Sequence, residues 1–235
     1  MNKYRFIIFD ADHTLIDFDA DERRAFRAAF AAAGAGYTEE QVEKCWAFSA
    51  KNWEDLGLNA VHLPAVQEGY HRMYREHVRT LFNFVERAVG LNGKRAEGEE
   101  AFLQALRQPS YPIEGAEETV CTLAQKYKIC VATNGLSDMQ RGRLSRFAPY
   151  LSDLFISEEM GCIKPNAQFY RAMFAKLGAR AEECLTVGDS LSSDVAGANA
   201  AGMDCVWFNR RGLSLPPRYR PIAQISDLRQ LLERL

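Results

Sequence analysis

The apolar positions of the chain follow two patterns, and the first predicts buried strands. Five short runs are almost continuously apolar: YRFIIFD, YKICVATNG, DLFIS, ECLTVGDS and DCVWFN. Continuous rather than alternating apolar residues are typical of strands that are covered on both faces, as in parallel sheets. Helical patterns follow these runs, so the sequence predicts an α/β fold with a Rossmann-like, doubly wound parallel sheet.

The second pattern predicts an inserted helical domain. Between the first two strands, from about Asp19 to Arg107, apolar residues recur at helical spacing in four segments. The second segment opens with a predicted capping box, Thr38 to Gln41. A single crossover does not need four helices, and the chain returns through a Pro- and Gly-containing linker, QPSYPIEG. The predicted boundaries are residues 18–109 for an all-α cap domain and residues 1–17 and 110–235 for the core.

Four residues of the core predict where its helices begin and end. Ser137 followed by Gln140 predicts a second capping box. Pro165 fits the first turn of the helix PNAQFYRAMFAKLG, and Gly178 is expected to end that helix.

Composition and charge narrow the class of protein. The 235 residues are 47% hydrophobic and 26% charged, which is ordinary for a globular protein. The net charge of -2 gives no basic surface for a nucleic acid polymer. No signal peptide or apolar run of about 18 residues is found, so we expect a cytoplasmic protein with no membrane partner. The six cysteines form no CxxC pair and are expected to be buried, reduced thiols.

Polar clusters follow three of the predicted strands. Asp10 and Asp12 come after the first strand, Thr133 to Gly135 after the second, and Gly188 to Asp194 after a later one. Ligands of open parallel sheets bind at the carboxyl ends of the strands, so these clusters are expected to meet at one edge. Lys164, in a loop before a helix, is a fourth candidate for the same place.

The chemistry of this group favours a cation and an oxyanion. Three carboxylates, from Asp10, Asp12 and Asp189, repel one another unless a cation lies among them. Oxygen ligands without His or Cys point to a hard ion, most simply Mg²⁺. Each residue alone has an ordinary structural explanation, as a helix cap, a turn or a surface lysine. Their coincidence in one fold predicts a phosphoryl-transfer centre.

Four motifs appear in a fixed order along the core. They are DxDxT at Asp10, Asp12 and Thr14, a strand-end Thr133, Lys164 followed by Pro, and GDxxxxD at Gly188, Asp189 and Asp194. In this order they resemble the haloacid dehalogenase-like superfamily of phosphohydrolases, and the helical insert resembles the cap of its subgroup with four or five cap helices.

The resemblance implies a role for each acidic residue. Asp10 would be the nucleophile that forms an aspartyl-phosphate, and Asp12 the general acid and then base. Mg²⁺ would be held by Asp10, the backbone carbonyl of Asp12 and Asp189, with Asp194 in support. Superfamily members that displace halide lack this acid/base and the metal, so a dehalogenase is disfavoured.

The resemblance also implies phosphate ligands. Thr133, Asn134 and Lys164 would bind the phosphoryl oxygens, and Lys164 would also offset repulsion between the nucleophile and the phosphate dianion. The catalytic set is therefore Asp10, Asp12, Thr133 and Lys164.

A finer similarity concerns the substrate. The segments DADHTL, ATNG, ISEEMGCIKPN and VGDSLSSD look like those of bacterial pyrimidine 5'-nucleotidases. The expected partner is therefore a small phosphomonoester, a pyrimidine nucleoside 5'-monophosphate. The alternatives are a sugar-phosphate or phosphoglycolate phosphatase, a phosphomutase, and a non-catalytic binding protein of the same fold. The oligomeric state is not predicted.

Three further groups of residues have two interpretations each. His13 could reach a leaving group or cap a turn, and the turn is favoured. The arginines of NRRGLSLPPRYR could approach an anion, but a solvated loop is favoured. The aromatic residues of the cap are expected to be mostly core, with one or two facing the cleft; they are Trp46, Phe48, Trp53, Tyr70 and Tyr74.

Overall fold

A computed structural model describes residues 3–235, so the first two residues of the predicted 1–17 segment lie outside it. The core is a six-stranded sheet in the order β3-β2-β1-β4-β5-β6, and all the neighbouring strands are parallel. The strands are β1 (Phe6–Phe9), β2 (Lys128–Thr133), β3 (Leu151–Ile156), β4 (Cys184–Gly188), β5 (Asp204–Phe208) and β6 (Ala223–Ile225). The predicted parallel α/β sheet is confirmed. The three-residue β6 was not predicted, because it is too short to carry a pattern.

Four helices fill the chain between β1 and β2, as the sequence predicts. They are α1 (Phe18–Ala33), α2 (Glu39–Asp55), α3 (Pro64–Ala88) and α4 (Arg95–Leu106). The remaining helices flank the sheet: α5 (Ala116–Leu123), α6 (Ser137–Arg143), α7 (Ser157–Met160), α8 (Ala167–Leu177) and α9 (Ala196–Ala201), with a π-helical turn, Leu191–Val195, before α9.

Hydrophobic packing covers both faces of the sheet. Along β1, Phe6 and Ile8 enter one buried cluster, while Ile7 and Phe9 enter the cluster on the opposite face. This alternation explains why β1 is apolar throughout. Free cysteines on β2, β4 and β5 are buried in the first cluster, and Cys45 and Cys162 are buried elsewhere, as predicted. Cys121 departs from the prediction, because it is only half-buried.

The inserted helices pack around a separate hydrophobic core. One helix of the sheet domain also contributes to this core. Phe26, Phe82 and Phe102 pack together at its centre. Leu136 and Met139, at the start of α6, join the same cluster. The insert is therefore packed against the chain that follows β2. In the described part of the chain, no helix combines the length and apolarity needed to cross a bilayer.

The helix caps confirm some of the expectations and correct others. Thr38 and Gln41 form the predicted capping box. The second predicted box is wrong: α6 follows Leu136, which has no capping side chain, and the N–H of Ser137 donates to Glu158 Oε2 at 2.9 Å instead. The side chain of Gln140 instead reaches Asp12 and Thr133.

The start of α8 is also corrected. Asn166, not Pro165, marks the end of the loop, because the Asn166 side chain accepts a hydrogen bond from the backbone N–H of Gln168. Gly178 ends α8 in the left-handed conformation, with φ of 56°, as predicted.

The two connections between insert and core run side by side. The N–H of Asp17 donates to the Tyr111 carbonyl at 2.8 Å, and the N–H of Ile113 donates to the Leu15 carbonyl at 2.9 Å. Helix α3 makes further contacts with core loops, including His71 Nε2 to Ser157 Oγ at 2.9 Å. These contacts hold the insert over the carboxyl edge of the sheet.

Candidate active site

The predicted polar clusters border one cavity. Asp10 follows β1, Thr133 ends β2 and Asp189 follows β4, so neighbouring parallel strands bring their carboxyl ends together. Together with Lys164 they line a cavity of about 700 Å³. Helices of the insert line the opposite side of the same cavity.

Three carboxyl groups crowd together at the sheet side. Asp10, Asp189 and Asp194 each offer an oxygen, and these oxygens lie within 4.8 Å of one another. Burial, followed by the neighbouring carboxylates, raises the pKa of Asp10 to about 7, although Lys164 opposes the shift. Burial and the charges of Asp10 and Asp194 also raise the pKa of Asp189 well above its usual range. Such crowding is relieved by a hard divalent cation, and the donor set therefore fits Mg²⁺.

The lysine is held by protein acceptors. Lys164 Nζ donates to Asp10 Oδ1 and to Asp194 Oδ1 at 2.7 Å each, and to the Ala132 carbonyl at 2.6 Å. An ammonium group has three donors, so these contacts use all of them. Burial lowers the pKa of Lys164, but the two aspartates raise it above its usual range. The lysine therefore stays charged and compensates two buried carboxylates.

Asn134 holds the loop that carries this lysine. Its Nδ2 donates to the Lys164 carbonyl at 2.9 Å, and its Oδ1 accepts from the Lys164 N–H at 2.8 Å. The next residue, Gly135, is required by a close approach, because a Cβ there would lie 2.6 Å from Gln140 Nε2. Both polar atoms of the Asn134 side chain therefore bind the backbone of Lys164. Thr133 Oγ1 accepts a hydrogen bond from Gln140 at 2.9 Å.

Asp12 is not one of the three crowded carboxyl groups, although the sequence predicts it there, because its carboxylate binds Arg143 and Gln140 and Asp194 takes its place. Arg143 Nη2 lies 2.6 Å from its Oδ1, and Gln140 Nε2 donates to its Oδ2 at 2.9 Å. Burial acts to raise the pKa of Asp12, but the Arg143 charge and hydrogen bond lower it below its usual value. Arg143 is itself buried, and it also pairs with Asp21 of α1 at 3.3 Å. The side chain of Asp12 therefore stays ionised and oriented.

The sequence reasoning missed Arg143 and Gln140. Both lie on α6, three residues apart, directly after the strand-end Thr133. A pair of polar residues at this spacing on a helix that leaves the site could have indicated them.

The first and fourth motifs are joined directly. The backbone N–H of Asp189 donates to Thr14 Oγ1 at 3.1 Å. Asp194 returns through the helical turn, and its Oδ2 accepts from the N–H of Ser190 at 3.0 Å. A Cβ at Gly188 would overlap the Asp194 carboxylate, so glycine is needed there. These contacts explain the spacing GDxxxxD.

Residues 4–202 match the family of haloacid dehalogenase-like hydrolases. The chain belongs to this family. It is 30% identical to the pyrimidine 5'-nucleotidase PynA of Streptococcus pneumoniae, over 98% of this chain and 94% of that protein. It is 28% identical to the pyrimidine 5'-nucleotidase YjjG of Escherichia coli, over 97% of this chain and 96% of that protein.

A crystal structure shows the same architecture. The HAD-hydrolase YfnB of Bacillus subtilis, bound to magnesium, superposes with a TM-score of 0.81 at 27% identity, covering 100% of this chain and 99% of that one. The predicted haloacid dehalogenase-like fold with a helical insert is confirmed, and the protein is a phosphatase of this family.

Two loop residues border the cavity of this phosphatase. His13 has a left-handed backbone, with φ of 60°, and its side chain lines the cavity with its Nε2 4.0 Å from Asp19 Oδ1. The prediction of a solvated loop holds for the exposure of Arg210, Arg218 and Arg220. Arg211 departs from it, because it is exposed yet lines the cavity.

More insert aromatics face the cavity than the sequence predicts. Four of the five candidates line it: Trp46, Trp53, Tyr70 and Tyr74. The fifth, Phe48, stacks on Phe84 with ring centroids 3.9 Å apart. More of them line the cavity than the one or two predicted, because helices α2 and α3 form that side of it. All five still pack in or against the hydrophobic clusters of the insert, as predicted.

Proposed function

We propose that this phosphatase hydrolyses a pyrimidine nucleoside 5'-monophosphate. One observation carries the proposal: Asp10, whose side chain is only 12% exposed and is held by a charged lysine, shares a cavity with a wall of aromatic side chains. The first can attack phosphorus, and the second can contact a planar base.

In the first step, Asp10 is the proposed nucleophile. Lys164 holds its Oδ1, so attack on phosphorus falls to Oδ2. A bond forms between this oxygen and phosphorus while the bond to the ester oxygen breaks. Asp12, after taking up the proton of a singly protonated phosphate ester, gives that proton to the leaving oxygen, so the nucleoside departs as an alcohol.

In the second step, Asp12 takes the opposite role. It removes a proton from water, and the resulting oxygen attacks the phosphorus of the aspartyl-phosphate and releases Asp10. Arg143 and Gln140 hold the Asp12 carboxylate for this step. Thr133, Asn134 and Lys164 stay the proposed phosphate ligands, and the contacts of Lys164 indicate charge compensation as its main contribution.

Magnesium is the proposed cofactor. Asp10, Asp189 and the backbone carbonyl of Asp12 would hold it, with Asp194 in support, as the crowding of three carboxyl groups favours. When bound, the ion would neutralise negative charge on the carboxylates and the phosphoryl oxygens.

The insert is the proposed cap domain, residues 18–109, over a core of residues 1–17 and 110–235. A cap that covers the site excludes bulk water while the phosphoryl group is transferred. Two full-length relatives that are pyrimidine 5'-nucleotidases support the choice of substrate.

The test is phosphate release with Mg²⁺ from UMP, dUMP, dTMP, purine monophosphates, phosphoglycolate and hexose phosphates. We expect kcat/KM to be about tenfold or more higher for the pyrimidine nucleotides than for the others. Asp10→Asn should lower turnover by at least about a thousandfold with an unchanged circular dichroism spectrum, because an amide does not attack phosphorus.

The outcomes separate the substrate from the chemistry. Equal or sugar-directed activity would reject the nucleotidase and leave the phosphatase. Wild-type turnover by the Asp10→Asn protein would reject the nucleophile.

A further inference from the structure

A set of buried polar side chains crosses the insert beside the aromatic residues, and three of its members, Glu22, Ser49 and His77, line the cavity. Glu22 of α1, Ser49 and Asn52 of α2, and His77 of α3 are all buried. Ser49 Oγ lies 2.6 Å from Glu22 Oε1 and 3.2 Å from His77 Nε2. Asn52 Nδ2 lies 2.8 Å from His77 Nδ1. Three helices therefore contribute to one continuous set of hydrogen bonds.

The amide group of Asn52 determines which atom donates in every hydrogen bond of this series. Asn52 Nδ2 also lies 3.2 Å from the His77 carbonyl, which can only accept, so the amide nitrogen must be at this position. The same nitrogen then donates to Nδ1. Burial lowers the pKa of His77 to about 4, so the ring is neutral near pH 7 and carries its one proton on Nε2.

The remaining two hydrogen bonds follow from this tautomer. Nε2–H of His77 donates to Ser49 Oγ, and the hydroxyl proton of Ser49 is left to donate to Glu22 Oε1. Oε1 is therefore an acceptor. Any proton on Glu22 is placed on Oε2.

Glu22 Oε2 lies at the end of this series of hydrogen bonds. The Glu22 side chain lines the cavity, although the residue is only 4% exposed. Within residues 3–235, no cation lies within ion-pair distance of Glu22, and its only side-chain hydrogen bond is the one from Ser49. An unpaired buried carboxylate is costly, so the neutral acid is favoured, and burial raises its pKa to about 7.

The position of Glu22 suits contact with a leaving group. It shares the cavity with Trp46, Trp53 and Tyr74, on the side opposite the aspartates. Burial raises the pKa of Tyr74, and the charges of Asp12 and Glu22 add to the shift, so this phenol lies near both carboxyl groups. A planar ring between these aromatic residues would present its polar edge to Glu22.

We propose that Glu22, as a carboxylic acid, donates a hydrogen bond from Oε2 to a ring carbonyl oxygen of the leaving group. Ser49, His77 and Asn52 are positioning residues that hold Oε1 and so aim Oε2 into the cavity. This inference rests on the proposed function, since a pyrimidine base supplies the ring carbonyl. Glu22 is thereby the specificity-determining residue of the insert.

The experiment compares two phosphate esters in four proteins. UMP has the ring carbonyl, whereas ribose 5-phosphate has the same ester linkage without a base. The proteins are the wild type, Glu22→Ala, Glu22→Gln and the matched control Glu40→Ala, in which an exposed glutamate of the neighbouring helix is removed. We measure kcat/KM for both esters with Mg²⁺ near neutral pH.

Glu22→Ala should lower kcat/KM for UMP by about tenfold more than for ribose 5-phosphate, as expected for one lost hydrogen bond at a buried site. Glu22→Gln should recover most of that loss, because its amide keeps an acceptor for Ser49 and a donor for the ligand. Glu40→Ala should behave as the wild type on both esters.

Two results would overturn the proposal. Equal losses on both esters in Glu22→Ala would show that Glu22 only supports the fold. A Glu22→Gln protein as impaired as Glu22→Ala would show that the ligand donates to a carboxylate. Failure of the proposed function gives a third, different result: wild-type protein that cleaves ribose 5-phosphate but has no preference for UMP.

Positioning by Ser49 has its own readout. Ser49→Ala should lower kcat/KM for UMP, and combining it with Glu22→Ala should add little to the loss from Glu22→Ala alone. Additive losses would mean that Ser49 does not act through Glu22.

Discussion

The sheet side and the insert side of the cavity hold their polar groups in different ways. On the sheet side, Arg143 pairs with Asp12 at 2.6 Å and Lys164 pairs with Asp10 at 2.7 Å. On the insert side, the polar groups are linked in a chain of neutral donors and acceptors that ends at Glu22. Both sides are largely buried, yet only the sheet side holds charged groups that need partners of opposite charge.

The difference suits the sheet side to the reaction at phosphorus and the insert side to the selection of the substrate. A phosphoryl group brings negative charge, and fixed opposite charges stabilise it in a buried site. A neutral heterocycle brings dipoles, for which a charged wall would cost desolvation without compensation. The cavity therefore has a charged side suited to phosphate and, around Glu22, Ser49 and His77, a neutral part suited to a ring.

The largest expected effect concerns the charged side. Lys164→Met leaves Asp10 and Asp194 buried without their cation, and we expect the free energy of unfolding to fall by about 3–5 kcal/mol at neutral pH. Urea unfolding measures this change. Adding Mg²⁺ should restore part of the loss, because an ion among the carboxylates replaces the missing charge.

A matched lysine tests whether burial is the cause. Lys176 pairs with Asp153 at 2.8 Å, almost the same distance as the 2.7 Å of the Lys164 pair, but its side chain is 57% exposed instead of 4%. Lys176→Met should therefore cost less than about 1 kcal/mol. Similar losses in the two variants would contradict the described role of burial.

The second effect concerns the partner of Asp12. Arg143→Met should lower kcat by about a hundredfold, because the proposed acid/base loses the group that orients it. Single-turnover and steady-state assays with UMP measure the loss. The control is Arg141→Met on the same helix, whose side chain is 60% exposed and pairs with Glu159 at the surface. A wild-type kcat in Arg143→Met would remove Arg143 from the mechanism.

The smallest effect tests the neutral side through its stability. The pKa of Glu22 is raised from 4.5 to about 7 in the folded protein, so the folded state keeps a proton that the unfolded chain has released. Stability contributed by this group is therefore present at low pH and falls as pH rises between these values. Glu22→Gln has no such dependence.

We expect the stability of Glu22→Gln relative to the wild type to increase by about 2 kcal/mol between about pH 5.5 and about pH 8. Urea unfolding of both proteins at the two pH values measures the difference. Glu40→Gln, at an exposed position, should show no such change. A constant difference between the Glu22→Gln and wild-type proteins would mean that Glu22 is already ionised in the folded state.

The two sides also differ in how far the sequence predicts them. The continuous apolar runs predict the strands of the sheet. Because parallel strands bring their carboxyl ends to one edge, the placement of Asp10, Thr133 and Asp189 follows from the topology. The hydrogen bonds that Lys164 makes with Asp10 and Asn134 do not follow from the topology, because they depend on how the loops pack against one another.

The insert side is predicted only at the level of helices. Helical spacing locates α1, α2 and α3, but the face that each helix turns to the cavity depends on how the helices pack. Glu22, Ser49 and His77 therefore have the sequence appearance of surface or core residues. Their shared chain of hydrogen bonds exists only after three separate helices have met.

The paired connections at residues 15–17 and 111–113 join the insert directly to the loop that carries Asp12. Ile16 bridges to both Asp12 and Pro112, and the N–H of His13 donates to the Ile16 carbonyl at 2.8 Å. A rotation of the helices about this ribbon would turn the Asp12–Ile16 segment with it. Residues 12–16 thus both carry the proposed proton donor and connect to the insert, so any tilt of the helices would also re-orient the Asp12 carboxylate.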